Sequence, residues 1–114
     1  MSMTMNAVEQ AVLEHEVGDV APRLCIRSGT RIDGGRWWRR VPVWLLVLDD
    51  EVVLLAAGRR RFVGRIPFTE AGESHYDHQK GVLVLAPCEG LPVNHVAVNV
   101  SDAIRVLRFM GLNT

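Results

Sequence analysis

The stretch that decides the fold is residues 43–68, VWLLVLDDEVVLLAAGRRRFVGRIPF. It begins with an apolar run from Val43 to Leu48, which has the length of a buried strand. The acidic pair Asp49-Asp50 separates this run from a second one, which ends before Gly58. A third segment then alternates between two faces. Short connections of this kind join neighbouring antiparallel strands, so the stretch predicts a β-meander.

The residues before the meander predict a helix and one short strand. From Thr4 to Val17, apolar side chains recur at helical spacing, with Thr4 as the candidate N-cap and Gly18 as the end. An extended segment from Arg23 to Arg27 follows, and Asp33-Gly34-Gly35 predicts a turn. The chain therefore reaches the meander after a helix and a weaker strand.

The residues after the meander predict two more strands and a second helix. The polar stretch from Thr69 to Lys80 is typical of a loop or an irregular edge, whereas the apolar runs from Gly81 to Ala86 and from Leu91 to Val100 predict strands. Ser101-Asp102 favours the start of an amphipathic helix that ends near Gly111. We therefore predict an α+β fold: an antiparallel meander or small barrel with a C-terminal amphipathic helix and an extra N-terminal helix.

Composition restricts the class of protein. The chain has 114 residues, 48% of them hydrophobic, with 13 basic and 13 acidic side chains, which predicts one small domain without net charge. This balance argues against the uniformly basic surface of a common nucleic-acid binder. Cys25 and Cys88 lack the spacing of a metal or redox motif. No signal-peptide pattern opens the sequence, so we expect a cytoplasmic protein without a transmembrane segment, and we expect no cofactor.

A resemblance to a known superfold joins these elements. It rests on four segments: Val43 to Arg61, Ile66 to Phe68, Gly81 to Leu85 and Asp102 to Leu107. Their order is strand, acidic turn, strand, basic hairpin, Ile-Pro segment, further strand and closing helix. Over residues 22–111 this order resembles the bacterial pleckstrin-homology-like (PH/GRAM-like) superfold. The resemblance implies a PH-like domain at residues 22–114 with residues 1–21 as a helical appendage. It also implies a binding module whose basic loop ends receive a phosphoinositide head group or a protein segment.

Arginines concentrate at one predicted end of the sheet. Twelve of the 13 cationic residues are arginine. Because antiparallel strands return to the same edge of a sheet, the arginines just before the Val43 to Leu48 run and those just after Gly58 should lie at the same end. Guanidinium groups form paired hydrogen bonds with phosphate and carboxylate, so we predict a rim that binds a protein partner or an anionic ligand. The predicted protein partner includes a second copy of this chain, bound through an open strand edge. The predicted binding residues are Trp38, Arg39, Arg40, Arg59, Arg60 and Arg61.

Two other interpretations of this rim stay open. Arginines that alternate with apolar residues also form the ordinary solvent face of a strand, where they pair with acids such as residues 49–51 and Glu89. Alternatively, Trp37 and Trp38 stack on bases while the arginines contact phosphates, as in a small β-barrel that binds nucleic acid.

His75, Asp77 and His78 form the one local group of metal-type ligands in the sequence. They could hold Zn²⁺ if Cys88 or His95 completed the site, which makes a metal-dependent protein the third hypothesis. The sequence has no nucleophile elbow, no Cys–His family signature and no glycine-rich phosphate loop. We therefore predict a non-enzymatic protein.

Overall fold

A computed structural model describes residues 5–18, 22–36, 39–58, 61–70, 72–85 and 94–111, with residues 33–36 and 39 described by their backbone alone. Two α-helices, seven strands and one 3-10 turn lie in these ranges. In chain order they are α1 (Ala7–Val17), β1 (Leu24–Arg36), β2 (Arg39–Val47), β3 (Glu51–Ala57), β4 (Arg61–Pro67), the 3-10 turn (Phe68–Glu70), β5 (His75–Asp77), β6 (Val82–Val84), β7 (His95–Ala97) and α2 (Val100–Phe109).

The first four strands form one antiparallel sheet, here called sheet A, in the order β1-β2-β3-β4. This order confirms the predicted meander. The turn between β2 and β3 lies at Asp49 and Asp50, as expected, and the amide of Leu48 donates to the carbonyl of Glu51 across it at 2.9 Å. The buried apolar runs and the acidic break thus position three strands without any long connection.

The last three strands form a second antiparallel sheet, sheet B, in the order β5-β6-β7. Sheet B meets sheet A where the register of β1 shifts between Arg27 and Arg31. There the amide of Ala97 donates to Oγ1 of Thr30 at 2.8 Å, and a Cβ at Gly29 would lie 3.4 Å from that of Ala97. In the described part of the chain the two sheets do not close into a barrel. The predicted α+β class is confirmed.

Both faces of sheet A are buried along residues 43–48 and 52–57, which explains why the runs in β2 and β3 are continuously apolar. Successive side chains of a strand point to opposite faces. One face packs with sheet B and α2 in a core that includes Leu45 and Leu54. The other face packs against α1 in a second core that includes Val12, Trp44 and Leu55. We call these faces the α2 side and the α1 side of sheet A.

α1 begins at Ala7 and is capped by Asn6, not by the predicted Thr4, which lies outside the described residues. The side chain of Asn6 accepts from the amide of Glu9 at 2.8 Å, and the carboxylate of Glu9 accepts from the amide of Asn6 at 3.0 Å. This reciprocal pair satisfies two amides at the start of the helix. Gly18 ends the helix, as predicted, at a φ of 68° that only glycine adopts readily.

The prediction of a turn at Asp33-Gly34-Gly35 is wrong. β1 continues through these residues because β2 supplies partners for Asp33 and Arg36, and a register shift between them accommodates the glycines. The stretch expected to be a loop or an irregular edge contains β5, an outer strand of sheet B, in which His75 pairs with Val84 of β6. In both places a neighbouring strand supplies order that the local sequence does not predict.

The helices are short. α1 has 11 residues and α2 has 10, whereas a bilayer requires about 20. Within the described residues, no helix is long and apolar enough to cross a membrane.

Candidate anion-binding surface

Arg27 and Arg61 lie on the α1 side of sheet A. Arg27 is the register partner of Trp44, and Arg61 is the register partner of Ala57. Directly paired residues of antiparallel strands share a face. Because Trp44 and Ala57 both belong to the core under α1, the two arginines extend from that same face. They occupy β1 and β4, the two outer strands of the sheet.

Arg31 and Arg40 lie on this side as well. Ile32 and Val41 are register partners and pack into the core on the α2 side. Their sequence neighbours Arg31 and Arg40 therefore point to the opposite face, the α1 side. The guanidinium of Arg31 also donates to the carbonyl of Arg40 at 3.1 Å, which brings the two residues into contact. We call the set Arg27, Arg31, Arg40 and Arg61 the basic end of sheet A.

The basic end extends across all four strands of sheet A. Arg31 faces Pro42, and continuation of the β2–β3 register places Pro42 level with Ala57, the partner of Arg61. The row from Arg31 to Arg61 crosses three interstrand spacings, about 14 Å in all. A surface of this width suits a partner that presents several anionic groups, not a single small anion.

The four arginines of the basic end are all exposed. The ion pairs among the described side chains join Arg23 to Asp49, Arg65 to Glu51 and Arg105 to Asp102. None of these pairs uses an arginine of the basic end. Asp33, the register partner of Arg40, is the one acidic residue of β1. The same end thus carries an excess of positive charge.

Arg65 behaves differently from Arg61, the other arginine of β4. Its guanidinium forms a salt bridge with the carboxylate of Glu51 and donates to the carbonyl of Glu16 at 3.1 Å. The hydrogen bond that the guanidinium of Arg65 donates to Glu51 raises the pKa of Arg65, and the charges of Glu51, Glu16 and Asp50 raise it further against the opposing effect of burial. Arg65 therefore connects β3 and β4 to the C-terminal turn of α1. For this residue the ion-paired interpretation is confirmed.

The acidic residues gather at the opposite end of sheet A. Asp49 pairs with Arg23, and the amide of Phe68 donates to the carbonyl of Asp50 at 2.9 Å, which holds the 3-10 turn and its exposed Glu70 beside the β2–β3 turn. Five carboxylates thus share this region with two arginines. We call the set Glu16, Asp49, Asp50, Glu51 and Glu70 the acidic end of sheet A.

The structure describes only part of the predicted rim. Arg40 and Arg61 lie at one end of the sheet, as antiparallel counting predicted, and Arg39 begins β2 at that end. The side chain of Arg39 and all of Trp38, Arg59 and Arg60 lie outside what the structure describes.

Sequence reasoning missed Arg27 and Arg31 as members of this surface. Their alternation with the buried Ile26 and Ile32 was a usable signal. It went unused because the predicted extended segment ended at Arg27, before Arg31, and its pairing with β2 was not predicted.

The metal-type ligands lie in sheet B. Oδ1 of Asp77 accepts from the amide of Gln79 at 3.0 Å, and so stabilises the turn after β5. The ring of His78 packs edge-on against Tyr76 with centroids 4.9 Å apart, and Nδ1 of His75 lies 3.1 Å from the carbonyl of Glu73. Within the described residues, no group of three or more His, Cys, Asp or Glu side chains could hold an ion. Cys88 lies outside them.

A buried carboxylate fixes the position of α1 beside the basic end. Glu9 is 3% exposed, and its Oε2 accepts from Nε1 of Trp44 at 2.6 Å. Because Trp44 pairs with Arg27, this bond places the N-terminal turn of α1 next to the arginines. Glu9 and Trp44 are 35 positions apart in the sequence, so no local sequence pattern predicts this hydrogen bond.

Comparisons with protein-family models, with curated proteins and with solved structures give no match for this chain.

Proposed function

We propose that this chain is a non-enzymatic, PH-like interaction module that binds an anionic partner through the basic end of sheet A. The observation that carries the proposal is the placement of Arg27, Arg31, Arg40 and Arg61 on one face, exposed and without a described carboxylate partner. Guanidinium groups in this arrangement bind carboxylates or phosphates through charge-assisted hydrogen bonds.

The width of the basic end restricts the kind of partner that can contact all four arginines. Arg31 and Arg61 lie about 14 Å apart across the sheet, so a partner that contacts the whole set needs more than one anionic group. An acidic segment of a protein supplies several carboxylates at this spacing, and phosphate-bearing ligands share the same chemistry. The resemblance of the sequence to PH-like domains supports a binding role, because such domains use basic loop ends in this way. The described order of a meander, further strands and a closing helix is compatible with it.

The proposal is tested by reversing charge on the surface. We would measure binding of a fluorescent polyglutamate peptide to the wild-type chain and to R31E/R61E by anisotropy at about 50 mM salt. The matched control is R105E/R108E, which makes the same change of charge on α2. We expect the first variant to lose about tenfold in affinity, since each exposed ion pair contributes about 0.2–1 kcal/mol, and the control to bind as wild type.

Equal losses in the two variants would show that only the total charge matters, and would contradict the proposal. Circular dichroism and thermal melting of both variants establish that they are folded. The same titration with single-stranded DNA tests the nucleic-acid alternative: tighter binding to DNA than to polyglutamate would favour it. Elemental analysis for stoichiometric Zn²⁺ tests the metal-dependent alternative at His75, Asp77 and His78.

A further inference from the structure

The charges of sheet A are separated along its strands. The acidic end lies at the β2–β3 turn, where Glu51 pairs with Pro67, and the basic end lies where Ala57 pairs with Arg61. The two rows are six residue steps apart along β3, from Glu51 to Ala57, which is about 20 Å at the usual rise of a strand. Electrostatic interactions in about 0.1 M salt are screened over about 10 Å. The two ends therefore act as separate charged surfaces although the chain has no net charge.

We propose that the basic end of one molecule binds the acidic end of a second copy of this chain. The inference rests on the proposed function, because it names a partner for the same surface. Charge complementarity supports it: the basic end presents four exposed arginines, and the acidic end presents five carboxylates of which Arg23 and Arg65 neutralise two. Each molecule thus carries the surface that the next one needs.

The geometry determines the kind of assembly. Two different surfaces meet in each contact, so the interface is heterologous and does not close at a dimer. Molecules bound in this way form short chains. Exposed ion pairs are individually weak, so the contact is reversible and requires high protein concentration and low salt.

The experiment uses the full chain and two neutralising variants. One variant, R31Q/R61Q, removes half of the basic end, and the other, D50N/E70Q, weakens the acidic end. The side chains of Asp50 and Glu70 are exposed, and D50N keeps the backbone carbonyl of residue 50 that accepts from the amide of Phe68. Light scattering after size exclusion gives the molar mass as a function of concentration, at about 20 mM and about 500 mM salt.

We expect the wild-type chain to increase in mass with concentration at low salt, to be a monomer at high salt, and each variant alone to be a monomer. An equimolar mixture of the two variants restores one contact, because one retains the basic end and the other the acidic end. The mixture should therefore stop at a 1:1 dimer. R105Q/R108Q, the matched control on α2, should associate as wild type.

A wild-type chain that stays monomeric at low salt, or a mixture of variants that does not associate, would overturn the inference. Association that persists at about 500 mM salt would overturn it as well, because ion pairs could not then be the cause. The wild-type chain could stay monomeric and still bind polyglutamate, with R31E/R61E binding it more weakly as described above. In that case the proposed function stands, and only the choice of a second copy as the partner is wrong.

Discussion

Nε1 of Trp44 donates a hydrogen bond of 2.6 Å to the carboxylate of Glu9, 35 positions away in the chain. Both residues are almost completely buried. The other carboxylate oxygen of Glu9 accepts from the amide of Asn6, so one side chain caps α1 and attaches it to sheet A. A buried carboxylate is stable only when hydrogen bonds replace the water it has lost. This pair therefore determines where the N-terminal turn of α1 lies.

Replacement of Trp44 by phenylalanine should destabilise the protein more than the lost side-chain volume alone would. W44F leaves Oε2 of Glu9 buried without its partner, which costs about 1–3 kcal/mol beyond the change in packing. W44F/E9Q should recover part of the loss, because a neutral amide is less costly to bury than a carboxylate. Urea unfolding gives the coupling between the two sites. E14Q, at an exposed position of the same helix, is the control. Strict additivity of the two changes would contradict this description of the pair.

The thiol of Cys25 should react slowly at neutral pH although the residue is exposed. Burial of the sulfur raises the pKa of Cys25, and the negative charge of Glu9 raises it further. Because only the thiolate is a nucleophile, alkylation by iodoacetamide should be slower than that of a free cysteine up to at least about pH 8.5. The rate is measured in a C88S background. E9Q should increase it, whereas E14Q should not; equal rates in all three proteins would exclude the effect of Glu9.

The raised pKa of Cys25 also predicts how the free energy of unfolding depends on pH. A group whose pKa is raised in the folded state contributes stability that is complete below its unfolded pKa and is lost as pH rises through the folded pKa. For Cys25 this window begins near pH 8.5. The difference in free energy of unfolding between the C88S chain and C25S/C88S should therefore change above about pH 8.5 and stay constant below it. A difference that changes between pH 6 and 8, roughly the range where histidine titrates, would assign the effect to another group.

The contact between the two sheets depends on one hydroxyl group. Oγ1 of Thr30 accepts from the amide of Ala97 at 2.8 Å. T30V keeps the shape of the side chain and leaves that amide without its acceptor, so the free energy of unfolding should fall by about 1–3 kcal/mol. T69V, the same substitution at an exposed position, should change it by less than about 0.5 kcal/mol. Equal effects of the two substitutions would mean that the Thr30 hydroxyl contributes nothing specific.

The central strands were predictable because their signals are local and strong. The bounds of β3 follow from the acidic pair before it and Gly58 after it, and the two-faced burial of β2 agrees with its continuous apolar run. β5 was not predictable in this way. His75 to Asp77 have no apolar alternation, and their pairing with Val84 supplies the order that the segment lacks by itself.

The sequence predicted the positions of only those arginines of the basic end that adjoin the strands of the meander. Arg40 and Arg61 lie at the expected end because antiparallel strands return to the same edge. Arg27 and Arg31 join them because β1 pairs with β2 on both sides of the register shift that separates these two arginines, and no local pattern predicts this pairing. The pairing of Arg65 with Glu51 required knowledge of both the register and the position of α1.

The position of the binding surface can be measured directly. NMR spectra of the chain with labelled arginine side chains would be recorded during titration with the polyglutamate peptide at about 50 mM salt. We predict that the Nε–H signals of Arg27, Arg31, Arg40 and Arg61 shift together and saturate, while those of Arg105 and Arg108 do not move. Uniform small shifts of all the arginines, or shifts confined to those of α2, would contradict the claim that the basic end of sheet A is the site of binding.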